Sequence, residues 1–283
     1  KAKNPKAIFR DSLSLFSTDH SVRTLIMNEE FADRIDLDRA LTHYKARFAN
    51  PADFTFVFVG QIDPNDPQTK ELILQWIGGL KCKGKKEHLV DWNVRQPEGD
   101  NKLYFRQPMA TRTATNRIEY ALYDTPYDMS RRLNLQMVGR VLDTRYLESV
   151  REREGGSYGV GVGGGMKQVP VTKQYLIIQF DTDPDKQERI MEVINEEIQT
   201  ILRDGPLASD VDKEKASMLK DHEGNMRDND WWQTVIYRFY RYGEDVVENY
   251  VRTVEGITQE SVQDALRTIV NANNRIEVVM LPE

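Results

Sequence analysis

Two side chains of complementary chemistry stand seven positions apart in the segment Tyr146-Leu-Glu-Ser-Val-Arg-Glu-Arg-Glu-Gly-Gly-Ser-Tyr158-Gly-Val: the guanidinium of Arg151 and the phenol of Tyr158. Gly155 and Gly156 lie between them. A glycine turn there can fold the end of a helix back beside the start of a strand and bring both groups to one surface. The pair suits acyl transfer, because a phenol can donate to an oxyanion forming on a scissile carbonyl while a guanidinium fixes a peptide carbonyl or carboxylate. Arginine and tyrosine near a turn are also ordinary surface residues, so the two residues alone leave a structural reading open.

The glycines that follow, Gly159-Val-Gly161-Val-Gly163-Gly164, formally match a dinucleotide fingerprint. That motif works where it leaves a strand and opens a helix whose N-terminus receives the pyrophosphate. Here Met166, Gln168, Pro170 and a strand follow, and no Gly-Lys-Ser/Thr is present, so nucleotide binding is not expected. Glycine at alternate positions suits a strand that another backbone approaches closely, as a bound peptide would, or a purely structural hairpin. Zinc hydrolysis needs histidines one helical turn apart and a nearby carboxylate. The four histidines, His20, His43, His88 and His222, are widely dispersed, and neither His-Glu-x-x-His nor His-x-x-Glu-His occurs. No metal site is expected in this chain.

The 283 residues, 39% hydrophobic and 30% charged, suffice for one large domain or two small ones. A net charge of −6 argues against a broad nucleic-acid-binding face. No stretch approaches the ~20 apolar residues of a membrane helix, so membrane insertion is not expected. Cys82 is the one cysteine, which rules out an intrachain disulfide and leaves the compartment open. The chain opens with Lys1 and without an apolar leader, and reads as a fragment or processed form.

Several elements must position the pair. Residues 1–34 read as a connecting helical segment and 35–283 as one domain with a solvated linker at 81–100. Asp36 caps a helix carrying Leu37, Ala40, Leu41, Tyr44 and Phe48, and Phe54–Gly60 reads as a buried strand. Strands are expected at Lys102–Arg106, Thr111–Tyr123, Tyr175–Thr182 and Arg275–Leu281. Long helices are expected after Pro126 and after the Asp183-Pro184 start, with further ones from Ser209, over Trp231–Tyr242 and over Thr258–Val270. Trp231, Trp232, Tyr237, Phe239, Tyr240 and Tyr242 read mainly as core packing, and no internal repeat is evident. The pattern favours an α+β fold: a mostly antiparallel sheet covered by helices on one face.

Val150-Arg-Glu-x-x-Gly-Gly-x-Tyr158 after a long helix resembles the Arg/Tyr signature of the pitrilysin, insulysin and mitochondrial processing peptidase family. Two further blocks agree in order: Tyr44-x-x-Arg47-Phe48 with the Asp53–Gly60 stretch, and the Tyr175–Pro184 strand followed by a helix and Trp231-Trp232. The resemblance covers nearly all of 36–283 and is nearest to large bacterial members. It implies two α+β halves closing on a peptide or unfolded polypeptide, with zinc in an N-terminal half, fused or separate, that this chain lacks. It implies that Tyr158 stabilises the tetrahedral intermediate, that Arg151 positions the peptide, and that Gly155, Gly156 and Gly159 leave room for its backbone. Arg153 is a rival to Arg151, though its spacing of five from Tyr158 fits the signature less well. The resemblance also points to a bacterial periplasm or envelope. A scaffold or binding subunit that kept the fold and lost the chemistry is the alternative.

Overall fold

The computed structural model describes residues 4–82, 87–155 and 159–283. In chain order the helices α1 (Pro5–Phe16), α2 (Glu29–Asp33), α3 (Leu37–Arg47) and α4 (Pro67–Ile73) precede the strands β1 (Gly99–Gln107) and β2 (Ala114–Tyr123). Helix α5 (Met129–Tyr146) leads to β3 (Val160–Lys167) and β4 (Lys173–Thr182). Helices α6 (Gln187–Asp204), α7 (Ala208–Asn225), α8 (Asn229–Tyr242), α9 (Val246–Glu255) and α10 (Gln259–Val270) come before the last strand, β5 (Asn274–Pro282). The chain forms two compact units: Lys1–Ile26 with Asp91–Lys220 and Asn249–Glu283, and Met27–Val90 with Asp221–Glu248.

The first unit is built on a five-stranded sheet in the order β1-β5-β2-β4-β3, antiparallel except for the β1–β5 pair. Alternation along β5 divides its side chains between two faces, as strand geometry requires. Val279 joins the main core with Leu133, Leu142, Ile190, Ile194 and Leu266 from α5, α6 and α10. Val278 and Met280 instead meet Phe9 of α1. Residues 5–16 are therefore more than a connecting segment, because α1 buries part of the sheet's second face. Each fully buried aliphatic side chain contributes roughly 1.5–3 kcal/mol, which makes the α5–α6–α10 layer the main source of stability. The residues expected as caps act locally: Asp36 and Asp183 accept from backbone amides at the starts of their helical segments, and Asp128 and Thr258 do the same at α5 and α10.

Helix α5 lies on the edge strand β3 at backbone distance. A Cβ built on Gly164 would sit 2.0 Å from the Leu135 carbonyl oxygen, and one on Gly139 would sit 3.0 Å from the Gly164 nitrogen. Glycine is needed at 164 for this contact. Gly163, on the opposite side of the same strand, would place a Cβ in open space.

Three expectations change. The solvated linker ends early: Gln96 is buried, and its side-chain amide donates to the carbonyls of Glu119 at 3.2 Å and Asn274 at 3.3 Å, so the chain is already docked before β1. Phe54–Gly60 is not a buried strand. Within the second unit no described segment forms a ladder with it, and Phe54, Phe56 and Phe58 are exposed. The aromatic run of α8 is also not core, for Tyr237, Phe239 and Tyr240 are exposed and Val235 is the helix's buried residue. Its rings pack on one another, Trp231 on Trp232 at 5.0 Å and Tyr237 on Tyr242 at 5.7 Å, both edge to face.

Gly164→Ala is expected to lower the unfolding free energy by about 3 kcal/mol or more, because two backbones would have to separate. Gly163→Ala is expected to stay within about 1 kcal/mol of the parent. Urea unfolding of both variants measures the difference, and equal losses would contradict this view of the α5–β3 contact.

Candidate functional site

The site begins where α5 ends. Residues Leu147–Arg153 continue the helix as a π-helical turn, a geometry that recurs at functional sites because it rephases the side chains that follow. Ser149 and Val150 turn inward and Arg151 is exposed. The Tyr146 hydroxyl is buried and donates to the Ile194 carbonyl at 3.2 Å, tying the end of α5 to α6. Burial pushes that phenol well above its ordinary pKa, so it stays a neutral donor.

The two arginines of the turn behave differently. Arg153 pairs with Glu197 of α6 at 3.1 Å, and Arg145 reaches the other oxygen of the same carboxylate at 3.4 Å. Glu197 is nearly buried and takes two guanidinium partners, so Arg153 is engaged in holding the turn. Arg151 is exposed and makes no hydrogen bond or ion pair with the described residues. Arg153 also keeps 64% of its side chain exposed, so the two candidates differ in having a partner and not in access.

Beyond the turn, Gly155 adopts φ +55°, a left-handed conformation that favours glycine. Lys186, at the entry to α6, donates to the carbonyls of Glu154 at 3.1 Å and Gly155 at 3.3 Å. Arg189 pairs with the Glu154 carboxylate at 3.0 Å. Gly156 and Tyr158 lie outside the described residues. Gly159 opens the path into β3, and a Cβ there would meet nothing within 4 Å. Arg151 and Gly155 thus stand on the stretch entering this segment and Gly159 on the stretch leaving it.

Strand β3 is the last in the sheet order and, among the described residues, pairs with β4 alone. Beside it runs a groove of about 550 Å³ lined by Gly159, Gly161, Gly163, Arg117, Gln179 and Asp181. Side chains on the other side of β3 pack towards α5, where Val160 and Met166 are buried. The groove thus lies over the face shared by β3, β4 and β2, where the alternating glycines leave a smooth strip. The other side of β3 carries no strand among the described residues, and a backbone could approach it there as an added strand.

The residues that secure this region, Glu197, Lys186 and Arg189, were not singled out from sequence, because their partners lie more than 30 positions away. The Asp183-Pro184 helix start was the one local hint, since it places Lys186 at the beginning of α6. A second cleft, of about 680 Å³, contains a network equally invisible in sequence: Tyr104 and Arg275 both hydrogen-bond the buried Glu277 carboxylate, and Arg275 also pairs with Asp100 at 2.6 Å. Burial, followed by the Glu277 hydrogen bond, pushes the Tyr104 phenol above its ordinary pKa. Among the described residues no group of three His, Cys, Asp or Glu side chains could hold a metal. His222 is buried against Trp231 at 5.4 Å, and burial lowers its pKa below the usual 6.5. The residues present do not suit zinc.

Residues 35–218 match the family model described as the peptidase M16 inactive domain, and the chain belongs to that family. A zinc protease PQQL-like protein of Arabidopsis thaliana is 24% identical over 259 residues, which cover 84% of this chain and 27% of that protein. Among solved structures, the periplasmic protease PqqL from Escherichia coli superposes with a TM-score of 0.80 at 17% identity, covering 99% of this chain and 31% of its own. The ferredoxin protease FusC, in complex with Arabidopsis ferredoxin, superposes with a TM-score of 0.78 at 14% identity, covering all of this chain and 30% of its own. The α+β fold is that of these proteins, and this chain spans less than a third of their length. No helix of the described residues is long and apolar enough to cross a membrane.

Arg151→Ala is expected to leave the unfolding free energy within about 0.5 kcal/mol of the parent, since it removes an exposed side chain without a described partner. Glu197→Ala, which removes the partner of Arg153 and leaves Arg145 with Glu148 alone, is expected to cost roughly 1–3 kcal/mol. Chemical denaturation of the two variants checks the contrast, and a larger loss for Arg151→Ala would show that the wrong arginine has been assigned to the fold.

Proposed function

We propose that this chain is the C-terminal, substrate-gripping part of a zinc-dependent metalloendopeptidase whose metal is held in another half, fused or separate. Peptides or unfolded polypeptide segments enter along the β3 edge. Arg151 fixes a backbone carbonyl or carboxylate of the substrate, and the Tyr158 hydroxyl donates to the oxyanion that develops on the scissile carbonyl. Gly155, Gly156 and Gly159 leave room for the substrate backbone. The observation that carries this reading is the division of labour in the π-helical turn, where Arg153 is paired with Glu197 while the exposed Arg151 has no partner among the described residues, in the stretch of chain that leads to the glycine-rich strand β3. Membership of the M16 family and the zinc protease relative support a hydrolytic setting. The periplasmic relative supports a periplasmic or envelope location, and the ferredoxin complex of another relative supports a polypeptide substrate. This chain by itself is inactive.

A second reading is a scaffold or binding subunit without chemistry, which the family's description as an inactive domain favours. Kinetics on the whole enzyme separate the two. With peptide substrate, Tyr158→Phe is expected to lower kcat by ~10²–10³-fold, the usual contribution of an oxyanion donor. Arg151→Ala is expected mainly to raise KM, and Arg153→Ala to change neither by more than about twofold. Full activity in both Tyr158→Phe and Arg151→Ala would leave the scaffold reading standing.

A further inference from the structure

Hydrogen bonding within a helix runs out at its C-terminal end, where the last carbonyls have no amide ahead of them. A cation brought to that end satisfies these carbonyls and complements the helix dipole. The π-helical turn Leu147–Arg153, capped by Glu154, meets such a cation, and it comes from a different element. The Lys186 ammonium donates to the carbonyls of Glu154 at 3.1 Å and Gly155 at 3.3 Å, the two residues that follow the turn. The Glu154 carboxylate is paired with Arg189, three residues after Lys186.

Lys186 is tied to the sheet on both sides of its own position. Asp183 caps the short 3-10 turn Pro184–Lys186. Asp185 receives two guanidinium nitrogens of Arg112, at 2.7 and 2.6 Å, from the loop that precedes β2. Gln187 is buried, and its amide donates at 3.0 Å to Oδ1 of Asn116, a fully buried residue of β2. The ammonium therefore stands on a short strut that runs from β2 to the end of the turn. Its bonds are to main-chain oxygens, unlike the Arg153–Glu197 pair, which joins two side chains. The direction in which the Arg151 side chain leaves the turn is set by the main chain, and the main chain is what Lys186 holds.

We propose that Lys186 is a positioning residue for Arg151. Its ammonium closes the C-terminal end of the π-helical turn and so keeps the Arg151 backbone in the orientation that presents its guanidinium to substrate. Lys186 itself makes no contact with substrate. The inference rests on the substrate-binding reading of Arg151 given above, and adds the element that holds it in place.

Steady-state cleavage of a peptide by the whole enzyme, arranged as a double-mutant cycle, tests it. Lys186→Met, which keeps the length of the side chain and removes its donors, is expected to raise KM about three- to tenfold, the loss that hydrogen bonds of this kind support, with kcat little changed. Lys186→Arg, whose guanidinium also donates to more than one oxygen, is expected to restore KM to within about twofold of the parent. In an Arg151→Ala background Lys186→Met is expected to change KM by less than about twofold, because residues that act as a unit are not additive. A parent-like KM in Lys186→Met beside a raised KM in Arg151→Ala would overturn the role of Lys186 and leave that of Arg151 intact. An equal effect of Lys186→Met in both backgrounds, or no recovery in Lys186→Arg, would overturn it as well. A parent-like KM in Arg151→Ala would instead remove the reading of Arg151, and this inference with it.

Discussion

The approach of α5 to β3 at the level of the main chain is the constraint on which the rest of the first unit depends. Two backbones meet where Gly139 faces Gly164, and no side chain larger than hydrogen fits at 164. Helix α5 therefore rests against the outermost strand, and its C-terminal end projects towards the segment that feeds that strand. Tyr146 and the Glu197 carboxylate then fasten the helix end to α6. Both arginines of the π-helical turn are exposed, and they differ in that Arg153 is paired with Glu197 while Arg151 has no partner among the described residues.

The same contact explains why the sheet edge has a smooth strip. Alternation along β3 sends Val160 and Met166 to the α5 side, and their neighbours Gly161 and Gly163 face the groove. An open edge strand is a hazard for unwanted pairing, and proteins commonly blunt such edges with charge or proline. Glycine at 159, 161 and 163 fits a strand left accessible to a guest backbone.

Much of this was legible in the sequence where the determining physics is local. Capping residues such as Asp36 and Asp183 act on amides three and two positions away, and the helix starts they mark are found within a few residues. The α+β class followed from alternation in β2 and β4 and from the apolar face of α6. Long-range features were not legible. Glu197 meets Arg153 across 44 positions and Glu277 meets Tyr104 across 173, with no pattern to announce either pair. Phe54–Gly60 and the α8 rings were read as buried because apolar residues signal burial, but the signal does not say against which surface. The M16 resemblance was carried by the Val150–Tyr158 block, and family membership bears out that part; the roles of Arg151 and Tyr158 remain the proposed part of the account.

The most direct measurement is the structure of the whole enzyme trapped with an uncleaved peptide. The account predicts the peptide backbone lying along β3, with the Arg151 guanidinium within hydrogen-bond distance, about 3 Å, of a peptide oxygen and the Tyr158 hydroxyl equally near the scissile carbonyl. A peptide bound away from the β3 edge, with both side chains more than roughly three hydrogen-bond lengths from it, would contradict the account.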